Sequence, residues 1–422
     1  MTLASGTVLA VAAWSTLARA ADAAPPATRS ASAAVATVPG MAPVPDAGNL
    51  YSETAVGKIS PALAGDPERI YVPNLRSNDV YVIDPAAMKV VDRYKVGNAP
   101  QHIVPAWDLR TLWVTNNAEG RTDGSLTPID PHTGKAGKAI PVDDPYNLYF
   151  TPDGKSAIVV AEAHKRLDFR DPKTMQLQYA IDTPGCPGIN HADFAIDGRF
   201  VIFTCEFSGT LVKIDLVERK VLGYLKLQMP ATRFKELPGG ARAKPGQVWE
   251  PGATEICTVA KGMPQDIRSS PDGKRFYVAD MMADGVHVVD GESFKEVGFI
   301  PAWLGSHGLY PSRNGKRLYV VSRGSHKIHG TRNGDGGVAV IDFATEKVVA
   351  RWPVPGGGSP DMGNVSADGK WLWLSGRFDD VVYRFDTTTG AVSQIKVGAE
   401  PHGLVVWPQP GRYSLGHTGN LR

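Results

Sequence analysis

Seven short strands in this chain run into an aspartate, and their spacing constrains the fold more than any other feature. They read "VYVIDPAAMKVVDRYKV", "LTPIDPHTGKAGKAIPV", "LDFRDPKTMQLQYAI", "LVKIDLVERKVLGYL", "VHVVDGESFKEVGFI", "VAVIDFATEKVVARWPV" and "VYRFDTTTGAVSQIKV". The marker residues Asp84, Asp130, Asp171, Asp215, Asp290, Asp342 and Asp386 are separated by 46, 41, 44, 75, 52 and 44 residues. A second signature precedes most of them: "TPDGKSAIVVAE", "AIDGRFVIFTCE", "SPDGKRFYVAD", "SRNGKRLYVVS" and "SADGKWLWLSG". Asp-Gly and Asn-Gly favour tight hairpins because both central positions accept positive φ. Two hairpins in series make four strands in ~40 residues, the period of a propeller blade.

The expected fold is therefore all-β, a seven-bladed β-propeller over residues 51–422. The first repeat lacks an opening strand, since "RIYVPN" is its second. The stretch "HGLVVWP" after the seventh marker supplies the missing one, so the C-terminal strand closes the ring and removes the sheet edges. The 75-residue gap between markers holds an insertion at about 229–262, rich in Gly and Pro, of the kind that serves as a lid or binding loop.

The N-terminal stretch "TLASGTVLAVAAWSTLARA" ends in Ala18-Arg19-Ala20, a small-x-small pattern. It reads as a signal peptide over 1–20, with a single membrane anchor as the alternative, followed by a disordered Ala/Pro/Ser/Thr-rich linker over 21–50. The mature protein is expected to be periplasmic or secreted, with no stable membrane span once the signal is removed. Cys186, Cys205 and Cys257 allow one disulfide with one cysteine left over, and the pairing stays open. A formal charge of +2 with 21% charged residues, and no basic run, gives no footprint for nucleic acid.

The first strand of each blade lines the central channel. The residue pairs that open these strands are Gln101-His102, Tyr146-Asn147, Asn190-His191, Gln265-Asp266, His307-Gly308, Asp361-Met362 and, from the closing strand, His402-Gly403. Second strands end on the same face, at Asn74, Asn116, Glu162, Glu206, Asp280, Arg323 and Arg377. His164, His326 and His329 follow in adjacent loops. One mouth of the ring is thus rich in imidazole and carboxylate.

The expected metal ligands are His102, His191, His307 and His402, with Asp266 and Asp361 as further ligands or as groups that orient the rings. Neutral imidazole in an oxidising compartment favours copper, with zinc as the alternative. Glu162, Glu206, Asp280, Arg323, His326, His329 and Arg377 are the expected substrate-facing residues. Arg268, Arg313, Arg323 and Arg377 are candidates to attract an anion. His132, His287 and His417 are expected in solvated outer positions. His307 and His402 take the first place of their pairs and His102 and His191 the second; adjacent strand residues point to opposite faces, so the alternative is that some of the four face a neighbouring blade and serve packing.

The repeats "RLYVVS", "TLWVTN" and "RIYVPN", with recurrent "PDGK", resemble the YVTN-repeat seven-bladed propellers of exported bacterial proteins, over roughly Ile59 to Arg422. The histidine ring also resembles, more distantly, the copper-holding propellers of nitrous oxide reductase and thiocyanate dehydrogenase. Their full ligand sets are not matched, so the resemblance implies a mono- or dinuclear centre. Three functions stay open: a copper-dependent oxidoreductase acting on a small molecule, a non-enzymatic binding module with a cell-envelope protein partner, and a metal-dependent hydrolase of lactones or sugars.

Overall fold

A computed structural model describes residues 1–2, 34–230, 262–332 and 334–422. The expected signal peptide lies almost wholly outside the described residues, as do the first part of the expected linker, all but the ends of the insertion, and Cys257.

Seven antiparallel sheets follow one another around a ring. Six run from an inner strand outward: Pro100–Pro105, Pro145–Phe150, Ile189–Phe194, Pro264–Ser269, Ser306–Pro311 and Pro360–Val365 are the inner strands. In the remaining sheet Val405–Trp407 takes the inner place beside Arg69–Asn74, with Arg69 opposite Trp407. The C-terminal strand thus closes the ring. Inner strands are buried along their length, whereas outer strands such as Lys89–Lys95 are exposed, so the sequence becomes more polar outward. Between neighbouring sheets the apolar faces mesh. Phe169 and Tyr149 of one blade meet Phe194 and Phe203 of the next, and Tyr310 and Val321 meet Leu374 and Phe385.

The markers have a local cause. Asp84 Oδ1 accepts from the backbone N–H groups of Ala86 and Ala87 at 3.0 and 2.9 Å, and Asp386 does the same for Thr388 and Thr389. Each marker is a turn cap whose ionised carboxylate satisfies otherwise free donors. Accordingly Asp84, Asp171 and Asp386 are held below the usual carboxylate range chiefly by those backbone hydrogen bonds. Their aspartates recur for folding, not for chemistry.

From Ala34 to Leu50 the described part of the expected linker lies against the propeller: Val38 N–H donates to Asp197 O, and Leu50 N–H to Pro271 O. Cys186 and Cys205 form a disulfide. Among the described residues no helix is long and apolar enough to cross a membrane.

Candidate functional site

The inner strands are not regular, and this is what makes the site. In six blades the opening pair sits in a β-bulge. Asn190 and His191 together oppose one residue, between Ile189↔Cys205 and Ala192↔Phe203. Gln265-Asp266, His307-Gly308 and Asp361-Met362 are bulged alike, and the register slips once at Gln101 and once at Tyr146. A bulge turns consecutive side chains toward the same side, which a regular strand forbids. The freed N–H groups find hydroxyls on the second strand: His102 and His191 donate to Thr115 and Thr204 Oγ1 at 3.1 and 3.0 Å, and Met362 to Ser375 Oγ at 3.2 Å.

As a result His102, His191, His307 and His402 converge. Ring centroids lie 5.4 Å apart for His102–His191, 4.8 Å for His102–His402, 6.2 Å for His191–His307 and 5.8 Å for His307–His402. A fifth ring joins them. His417, expected in solvent, is fully buried, with its ring 4.5 Å from His191 and 5.2 Å from His102. The C-terminal segment folds back under the channel: His417 N–H donates to Leu148 O and Phe150 N–H to Leu415 O. Gly416 and Gly419 make that path possible with φ of +102° and +127°. A Cβ on Gly416 would lie 2.4 Å from Tyr149 Cα, so only glycine lets the tail approach the inner strand this closely. Arg422 anchors the end through Asp193 at 2.7 Å.

One ring nitrogen from each of His102, His191 and His417 lies within 4.8 Å of the others. Both nitrogens of His102, and Nε2 of His191 and His417, are buried without a hydrogen-bond partner among the described residues. His417 Nε2 is 3.6 Å from Asp266 Oδ1, too long for a hydrogen bond. Asn147 orients two of the rings, its Nδ2 lying 3.2 Å from His191 Nδ1 and 2.9 Å from His417 Nδ1. Its Oδ1 accepts from Leu148 N–H at 2.8 Å, so a setting in which Oδ1 accepts from both Nδ1–H groups and frees both Nε2 lone pairs for a metal requires that backbone bond to be given up.

His307 and His402 are held differently. Asp361 lies 3.0 Å from His307 Nδ1 and 2.7 Å from His402 Nδ1, and Met362 Sδ also lies 3.0 Å from the former. A carboxylate on Nδ1 fixes the proton there and leaves Nε2 as the acceptor. All five imidazoles are kept neutral. Burial lowers His307 to about 4 and His402 to about 3, with the charges of Arg323 and Arg377 adding to it. Burial likewise takes His102 and His191 well below the usual value and lowers His417.

Above the rings opens a pocket of about 320 Å³, which His307 and His402 line. Of the residues expected to face a substrate, Glu162, Glu206, Arg323, His329 and Arg377 also line it. Asp280 and His326 do not. Asp280 is buried against its own blade, accepting from Met263, Met282 and Ala283 N–H groups and pairing with His287 at 3.4 Å. His326 pairs with Asp284 at 2.8 Å. His287, expected in solvent, is fully buried between Asp280 and Glu296; burial opposes its charge, but the two carboxylates win and raise it to about 9. Its strand, Gly285–Asp290, is covered on both faces, so an outer position did not mean exposure. His132 is exposed as expected.

The expected anion-attracting arginines are committed within the protein. Arg268 pairs with Asp266 at 2.7 Å, and Arg313 donates to the carbonyls of Val365 and Ser366. Arg323 pairs with Asp361 at 2.7 Å, and Arg377 with Glu400 at 3.2 Å.

No protein-family model matches the chain, and no curated protein matches it. Solved structures do. A candidate 6-phosphogluconolactonase from Bacteroides uniformis aligns at 15% identity with a TM-score of 0.56, over 80% of this chain and 99% of that one. Hydrazine synthase from Kuenenia stuttgartiensis aligns at 18% and 0.52, over 79% and 94%. The dihydro-heme d1 dehydrogenase NirN aligns at 12% and 0.53, over 83% and 78%. At such identities the likeness is one of fold. The chain is a seven-bladed β-propeller whose channel is filled by five neutral imidazoles.

Proposed function

We propose that this chain is an exported propeller that binds one transition-metal ion through His102, His191 and His417, copper by preference and zinc as the alternative, and that it works as an oxidoreductase on a small molecule. The observation that carries the metal reading is the set of four buried ring nitrogens without a partner. An unmade hydrogen bond on a buried polar atom costs about 1–3 kcal/mol, so four such atoms in one place are expensive unless something binds them. The donor set fits: three neutral nitrogens suit copper or zinc and exclude calcium, which takes oxygen. Metal–nitrogen bonds of about 2.0 Å join ligand atoms roughly 3.3–4 Å apart, so the triad, whose atoms lie within 4.8 Å of one another, would close by up to about 1.5 Å on a metal.

When bound, the metal would supply a redox centre or a Lewis acid at the floor of the pocket. The chain's own residues do the rest. Asn147 orients His191 and His417, Asp361 holds the Nδ1 protons of His307 and His402, and those two residues line the pocket. The disulfide between Cys186 and Cys205 supports an oxidising location, in the periplasm or outside the cell.

The test is metal content of the exported protein after dialysis, beside a His102→Ala/His417→Ala variant. The proposal expects one copper or zinc per chain in the parent and none in the variant. A folded parent that retains no metal would instead leave a binding module of the cell envelope.

A further inference from the structure

The charge in the pocket wall can be followed group by group. Asp361 and Glu400 neutralise Arg323 and Arg377, and Glu119 and Glu400 engage Arg76 at 3.3 and 3.0 Å. His329 bridges the same two carboxylates, 2.8 Å from Glu400 and 3.4 Å from Glu119. Three further carboxylates line the pocket, Asp144, Glu162 and Glu206, and among the described residues none of them is in an ion pair with a lysine or arginine, although Arg323 and Arg377 act on Glu206 from a distance. Glu206 is buried and takes hydrogen bonds from Gln265 Nε2 and Asn190 Nδ2, each at 2.9 Å. Glu162 is half-buried beside it.

A second, independent observation points the same way. Gln101 lines the pocket, is 3% exposed, and spends its Nε2 on Glu119 at 3.1 Å, which leaves its Oε1 buried with no donor. Because a carboxylate accepts only, the Gln101 amide cannot be turned round to relieve this. Behind the wall, Asn190 is fully buried and spends its Nδ2 on Glu206 and on Gln265 Oε1 at 3.2 Å, which fixes the amide and holds Glu206 in place. The wall therefore offers acceptors and negative charge and is short of donors. Tyr146 and Phe207 add aromatic surface to the same pocket.

We propose that this pocket binds a small organic ammonium ion, whose N–H groups satisfy Gln101, Glu162 and Glu206 and whose charge replaces the missing counter-ion. The aromatic rings suit the cation's alkyl part and its charge. Crowded together, these carboxyls resist ionising, and a bound ammonium would favour their charged, hydrogen-bond-accepting form. Burial pushes Glu162 well above the usual range, with Glu206 and Asp144 adding to it, and burial raises Asp144 to about 6. Burial also raises Glu206, against its hydrogen bonds and the two arginines. The inference does not depend on the metal, since none of these groups belongs to the imidazole triad.

The experiment is calorimetric titration of the metal-free, full-length protein with butylammonium, butan-1-ol and butanoate, three four-carbon probes of different charge. Metal-free protein removes amine coordination as an explanation and keeps this test separate from that of the metal. The expected result is binding of butylammonium at least tenfold tighter than of either other probe. That preference should be lost in Glu206→Gln and in Glu162→Gln, whose thermal unfolding confirms that they fold. Tighter binding of butanoate, or butylammonium affinity unchanged in both folded variants, would overturn the proposal.

Discussion

Gly403 offers the cleanest way to move His102 without replacing it. A Cβ built on Gly403 would lie 2.1 Å from His102 Nδ1 and 2.8 Å from its Cγ. The glycine is not among the positive-φ residues, so alanine is acceptable to its backbone and the consequence is purely steric. Its N–H and carbonyl bind Gln101 and Ile103 at 2.8 and 2.9 Å, so the closing strand cannot simply retreat. The imidazole must therefore shift by about 1 Å to restore an ordinary contact. Overpacking of this kind costs about 1–3 kcal/mol, and a binding constellation tolerates only about 0.5 Å. We expect Gly403→Ala to remain folded, to lose about 1–3 kcal/mol in urea denaturation, and to bind copper or zinc 10–100-fold more weakly in competition with a chelator. Loss of stability with unchanged metal affinity would refute the reasoning, because it would show that the position of His102 does not matter to the metal.

Asn147→Leu should weaken metal binding 10–100-fold in the same competition, whereas Asn147→Asp, whose carboxylate accepts from both Nδ1–H groups, should retain or tighten it; equal effects would mean that the amide does not orient the rings. The metal-free protein should lose stability in acid. His307 and His402 titrate at about 4 and about 3 when folded, below the ordinary 6.5, so the unfolded chain binds more protons as pH falls through that window. His307 alone then costs roughly 3 kcal/mol by pH 4, and a urea midpoint that stays flat from pH 7 to 4.5 would contradict this. His287 has the opposite sign: raised to about 9, it contributes stability that is complete below pH 6.5 and lost as pH climbs to 9. That alkaline loss should vanish in His287→Gln, and its persistence there would show that another group is responsible.

The architecture was legible because period-two alternation and Asp-Gly turns are local signals, and a blade is built from local hairpins. The paired channel positions were legible too, since they sit at a fixed distance before each turn. What strand periodicity could not show is the bulge. By itself it predicts that His191 and Asn190 face opposite ways, and the register slip that brings both inward has no strong mark beyond the Thr or Ser opposite it, as at Thr115, Thr204 and Ser375. His417 escaped because it lies in "LGHTGNLR", a segment without periodicity. The clue was the flanking glycines, which let a tail pass close under an inner strand. The arginines were misread for a related reason: the pairing of Arg323 with Asp361 and of Arg377 with Glu400 depends on contacts far apart in sequence, and Arg268 reaches Asp266, only two residues away, across the same bulge.

The central claim is that a metal ion sits among His102, His191 and His417. The most direct measurement is an anomalous-difference map from crystals of the protein loaded with copper and washed, collected on both sides of the copper absorption edge. The account predicts a peak within bonding distance of all three rings, absent from His417→Ala crystals. A map with no peak there, or copper bound only at exposed sites such as His132, would contradict it.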